Sequence, residues 1–167
     1  MKWNEGHIHL AMRRSLTDLG WLLVAGEYPG GSDHELYPLN VVDPAVARDG
    51  SPDPRRHSKG ELIPDLIALR GRDLFIGEAK VLYDRRDKSK LENLISERKQ
   101  HLVAALQKFA IERNFQSLLP ISTLIFRPTL VFLAGCLAPP PVSGISYLRI
   151  ISPTEAIFEG DLSKVKK

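Results

Sequence analysis

The segment ELIPDLIALRGRDLFIGEAKV constrains this chain more than any other stretch. Two apolar runs, LIPDLIAL and LFIGEAKV, flank Arg70-Gly71-Arg72-Asp73, and a glycine-containing tetrapeptide between β-prone runs marks a tight hairpin turn. Charged residues interrupt these strands: Asp65 follows Pro64 in the first, and Glu78 and Lys80 sit in the second. Side chains two apart leave a strand on the same face, so Glu78 and Lys80 share a face. Pairing about the turn brings Asp65 opposite the Glu78 region. Ile67, Leu69, Phe75, Ile76 and Val81 surround the three, a setting in which charge is costly to bury without a purpose.

The hairpin is preceded by a helix and a strand. Over residues 4 to 19, Ile8, Met12, Leu16 and Leu19, with Ala11 beside them, follow helical spacing, and Gly20 supplies the stop. WLLVAGEY reads as a buried strand ending at Pro29-Gly30-Gly31. Residues 29 to 60 carry Pro29, Pro38, Pro44, Pro52 and Pro54 and predict an extended excursion with short strand pieces in ELYPLNVV. From residue 88 to about 114, Leu91, Ile95, Leu102, Leu106 and Phe109 predict one long amphipathic helix. TLVFLAGC and SYLRIIS read as two further strands, and SKVKK as a frayed tail. The order α-β-β-β-α-β-β predicts an α/β fold in which a mixed central sheet is flanked by helices.

At 167 residues, the chain is expected to form a single domain over 1–167. A 43% hydrophobic and 26% charged composition is that of an ordinary soluble protein. One cysteine, Cys136, excludes an intramolecular disulfide or a cysteine-built zinc cage, and a reducing, cytoplasmic setting is expected. The charged opening MKWNEGHIHLAMRRS does not fit a signal peptide, so no export is expected. Residues 128–148 carry no charge, but Pro139, Pro140 and Pro141 break the run, so no membrane span is expected. The net charge of +3 permits a polyanionic partner without requiring one. Arg55, Arg56, His57 and Lys59 lie together, and Arg70, Arg72, Arg85, Arg86, Lys88 and Lys90 flank the hairpin chemistry. These are either phosphate-contacting groups or solvated loops.

Two carboxylates on rigid strands suit a hard divalent cation such as Mg²⁺, which takes one or two carboxylates and keeps waters for a substrate phosphate. An ammonium beside that cation can stabilise charge on a phosphorane or orient and activate the attacking water. The alternative is a surface ion pair between Glu78 and Lys80, worth at most roughly 1 kcal/mol.

PD followed by EAK on a hairpin, behind a helix and a strand and before a long helix, resembles the PD-(D/E)XK phosphodiesterases of restriction-endonuclease-like fold. Element order carries the resemblance over residues 1 to about 136, and four positions carry the motif: Pro64, Asp65, Glu78 and Lys80. The resemblance implies a metal-dependent endonuclease of resolvase-like, restriction or mobile-element type that hydrolyses DNA phosphodiester bonds with Mg²⁺, or Mn²⁺ as a substitute. Asp65 and Glu78 would be metal ligands, the Ala79 carbonyl an additional one, and Lys80 the catalytic base or electrostatic partner. In many resolvase-like members a first-helix glutamate joins the site, and Glu5 is the candidate here; the other reading is a first-turn carboxylate favoured by the helix dipole.

Some relatives bring a glutamine from the long helix to the active site. Gln100, however, projects away from the apolar stripe, whereas Arg98 falls within it and can extend toward phosphate. Arg55, Arg56 and Lys59 would meet DNA phosphates. A homodimer is the expected assembly, since relatives that cut both strands are often twofold. The competing function is a catalytically silent nucleic-acid-binding module of the same fold. A zinc site built from His7, His9, Asp33, His34 and Glu35 is not expected, because residues two apart on a helix diverge, leaving capping or solvated roles.

Overall fold

Gly71 adopts φ 59°, the left-handed conformation that a type II′ hairpin turn reserves for glycine at its first central position. In the computed structural model, which describes residues 2–28, 31–32, 36–41 and 63–164, it joins β3 (Leu66–Arg70) to β4 (Asp73–Ala79). The pairing runs from Arg70 with Asp73 at the turn to Leu66 with Gly77 at the far end. Leu66 to Leu69 and Leu74 to Ala79 are all buried, so both faces of the hairpin are covered.

The remaining elements are α1 (Glu5–Asp18), β1 (Leu22–Tyr28), β2 (Gly31–Ser32), α2 (Arg85–Ile95), α3 (Lys99–Glu112), β5 (Ile125–Leu133), β6 (Ser146–Ser152) and β7 (Glu155–Glu159). One sheet in the order β2-β1-β3-β4-β5-β6-β7 contains every strand of the described residues. It is mixed but mostly antiparallel: β5 lies parallel to both β4 and β6, and the other pairings are antiparallel. The hairpin occupies the middle, with β1 beside β3 and β5 beside β4.

Alternation along β4 divides the core. Leu74 and Ile76 point to the layer of α2 and α3, where they meet Leu91, Leu94, Leu102 and Leu106. Phe75 and Ala79 point to the layer of α1, against Ile8, Met12 and Leu16. The two-residue period therefore puts Glu78 on the α2 side. α1 is closed at both ends by its own sequence. Asn4 accepts a hydrogen bond from the His7 N–H while His7 Nδ1 accepts one from the Asn4 N–H, a capping box. At the other end Gly20, at φ 85°, allows Trp21 N–H to reach the Leu16 carbonyl and Gly20 N–H to reach that of Thr17, a Schellman motif.

Three expectations change. The helix read from residue 88 onward begins at Arg85 and is broken in two at Ser96, whose φ and ψ are −113° and −85°. Ser96 Oγ donates to the Glu92 carbonyl, a local bond that competes with the helical ladder and bends it. The strand read as LIPDLIAL starts only at Leu66, because the Asp65 carboxylate takes the Ala79 N–H that a backbone carbonyl would otherwise accept. A further edge strand, β7, follows β6, and Ser163 and Lys164 of the tail belong to a 3-10 turn. Of ELYPLNVV, Val41 makes an isolated bridge and residues 36–40 are irregular. No helix among the described residues is long and apolar enough to cross a membrane.

Candidate active site at the mouth of the hairpin

Asp65 stands at the open end of the hairpin, opposite its turn, and is fixed by three backbone partners. Its N–H donates to the Gly77 carbonyl at 3.0 Å, and its carbonyl accepts from the Glu27 N–H at 2.9 Å. Its Oδ2 accepts from the Ala79 N–H at 2.8 Å. Anchored to both neighbouring strands, the carboxylate has little freedom to wander.

Glu78 is the most deeply placed of the charged residues, with 4% of its side chain exposed. Burial, and then repulsion from Asp65, push its carboxyl well above the usual carboxylate range. Lys90 of α2 opposes this: its Nζ lies 2.6 Å from Glu78 Oε1 and donates to the Ile63 carbonyl at 2.8 Å. The contact with Glu78 is a close ion pair, and burial outweighs it.

Lys80 turns to the start of α2. Its Nζ donates to Asp84 Oδ2 at 2.9 Å and lies 3.7 Å from Asp87 Oδ2. The bond to Asp84 raises the Lys80 pKa, so the side chain is an ammonium at neutral pH. Asp84 serves twice, since its Oδ1 also caps α2 by accepting from the Arg86 N–H at 2.8 Å. Hydrogen bonds from Lys80 and Arg86 hold Asp84 well below the usual carboxylate range. Burial pushes Asp87 the other way, aided by Asp84 and Asp65 and resisted by Lys80 and Lys90.

From the α1 layer, His9 completes the cluster. It is 1% exposed, and its Nε2 lies 3.7 Å from Asp65 Oδ2. Burial holds the imidazole below its ordinary pKa, against the pull of Asp65 and Glu5 toward the charged form. Glu5 is exposed on the first turn of α1, one turn before His9.

The hairpin thus gathers Asp65, Glu78 and Lys80 at one end, with Ala79 giving its N–H to Asp65. Arg98 lies at the break between α2 and α3, where it precedes the first turn of α3. Arg55, Arg56, His57 and Lys59 lie outside the described residues, as do Asp33, His34 and Glu35. His7 has the capping role expected of it. Among the described residues, no group of three or more His, Cys, Asp or Glu side chains is arranged to hold a metal ion. Two flanking cations serve the fold: Arg72 donates to the carbonyls of Ser117, Leu118 and Pro120, and Arg86 pairs with Asp84.

Sequence reasoning missed Lys90, Asp84 and Asp87 as neighbours of the acids, naming Lys90 only as a flanking cation, and its capping or solvated role for His9 is corrected by the burial of that side chain beside Asp65. The first three had a signal, for Asp84, Asp87 and Lys90 recur every three residues at the start of a helix and so share a side. His9 had none, because only the docking of α1 beside the hairpin mouth brings it to Asp65. The fold and site define an α/β chain with a half-buried cluster of acids and ammonium groups at the centre of its sheet. Comparison with family models, with curated proteins and with solved structures gives no match.

Proposed function

We propose that the chain is a metal-dependent endonuclease of the PD-(D/E)XK class, with a restriction-endonuclease-like fold, that hydrolyses DNA phosphodiester bonds. The observation that carries this reading is geometric: Asp65, held by the Ala79 N–H at 2.8 Å, and buried Glu78, against the Lys90 ammonium, stand at the same open end of the hairpin, next to Lys80. A buried carboxylate with a second one at the same end of the hairpin favours a divalent cation, and Glu78 Oε1, which already faces the Lys90 ammonium, suits a cationic partner. Asp65 and Glu78 would hold Mg²⁺ or Mn²⁺, with the Ala79 carbonyl as a further ligand. When bound, the ion would supply a Lewis acid for the phosphoryl oxygens and lower the pKa of water.

The protein's own groups have distinct parts. Asp65, anchored on three sides, sets the position of the ligand set. Lys80, an ammonium paired with Asp84, suits electrostatic stabilisation of the phosphorane better than proton abstraction. Hydrolysis forms a bond from water oxygen to phosphorus and breaks one ester P–O bond. Cutting both strands calls for two such sites, which a twofold homodimer supplies. The test is a cleavage screen on linear, branched and single-stranded DNA with Mg²⁺ and Mn²⁺, with Asp65→Asn as control. Cleavage lost on chelation and in Asp65→Asn is the expected result; no cleavage of any substrate, or cleavage indifferent to metal, rejects the reading.

A further inference from the structure

Lys90 is the cation nearest to Glu78, and its position is odd for a surface lysine. It rises from α2, whose next residue, Leu91, is buried in the core, and only 26% of its side chain is exposed. Its Nζ spans the hairpin mouth, touching Glu78 Oε1 at the end of β4 and the Ile63 carbonyl two residues before Asp65. Lys80 does not share this place, being committed to Asp84 and Asp87.

We infer that Lys90 is a positioning residue that closes the metal-free site as a resident cation and leaves Glu78 when a divalent ion binds. This rests on the reading of Asp65 and Glu78 as metal ligands. A divalent ion on Glu78 and an ammonium 2.6 Å from the same oxygen repel one another strongly in a poorly solvated site. The ammonium is the partner able to yield. Its side chain is 26% exposed, and its four-carbon stem can swing toward solvent while Leu91 keeps α2 in place. Metal binding is then an exchange of one cation for another. The apparent affinity is reduced by the fraction of molecules in which Lys90 holds the site.

The test is calorimetric titration of Mn²⁺ into the parent protein, Lys90→Met and Asp65→Asn. Lys90→Met should bind roughly tenfold more tightly than the parent, as for a site freed from a competitor present about nine-tenths of the time. Asp65→Asn should bind weakly or not at all. Equal affinity in the parent and Lys90→Met, with binding lost in Asp65→Asn, overturns the role of Lys90 and leaves the metal site standing. Absence of Mn²⁺ binding in both parent and Lys90→Met overturns both. Should Lys90→Met not fold, amine acylation of the parent followed by mass spectrometry decides: Lys90 should react several times faster with saturating Mn²⁺ than without it. An unchanged rate rejects the exchange.

Discussion

Ala79 N–H donates to Asp65 Oδ2 at 2.8 Å, so the first acid of the cluster takes the place of a backbone carbonyl where the β3–β4 ladder ends. Position and charge of this side chain are therefore separable. Asp65→Asn keeps an oxygen for Ala79 and should fold with unchanged circular dichroism. Its metal-dependent cleavage should fall by roughly 100-fold or more. Full activity in this variant would exclude Asp65 as a ligand.

Asp84 joins the cap of α2 to Lys80, and two substitutions pull these roles apart. Asp84→Ser retains a capping oxygen and should unfold in urea within about 0.5 kcal/mol of the parent, whereas Asp84→Ala should lose about 1 kcal/mol. Both release Lys80, so both should lower turnover at saturating DNA by about tenfold or more. A serine variant with parental turnover would show that Asp84 acts on the helix alone.

The raised carboxyl of Glu78 gives a pH signature with a definite sign. A folded pKa above the unfolded one stabilises fully below the unfolded carboxyl range, and that contribution is lost as pH rises through the folded value. Glu78→Gln removes the titration. In chelator, its stability relative to the parent should therefore grow between about pH 5 and pH 8, the lower limit lying just above the ordinary glutamate pKa. Denaturation at the two pH values measures this, and a difference that does not change with pH would show that Glu78 is not strained in the fold. Added Mg²⁺ should stabilise the parent and not the variant.

Arg72 offers a control outside the site. Its guanidinium holds the carbonyls of Ser117, Leu118 and Pro120 from the turn of the hairpin. Arg72→Ala should cost about 2 kcal/mol in chemical denaturation, in the range of hydrogen bonds to charged groups. Mn²⁺ affinity should not change. A shift in affinity without a loss of stability would reverse this assignment.

The sequence made the hairpin legible because both of its determinants are local: Gly71 sets the turn, and the turn sets which residues of β3 and β4 face one another. That register puts Asp65 and Glu78 at the same open end, while the partners of Glu78 and Lys80 come from α2 and the turn before it. Lys90 and His9 belong to the site through the docking of α2 and α1, and no local pattern states where a helix will settle on a sheet. The break at Ser96 was hidden because the apolar residues on either side keep a helical rhythm across it. β7 was hidden because EAIFE, charged at both ends and only half buried, carries no apolar run like that of β3.

The hairpin is clamped at both ends. Arg72 ties its turn to the segment before β5, and Asp65 and Lys90 tie its mouth to Ala79, Glu78 and Ile63. A ribbon fastened at one end carries its bending to the other; one fastened at both keeps its dimensions. The spacing of the two acids is thereby insulated from change in more distant parts of the chain.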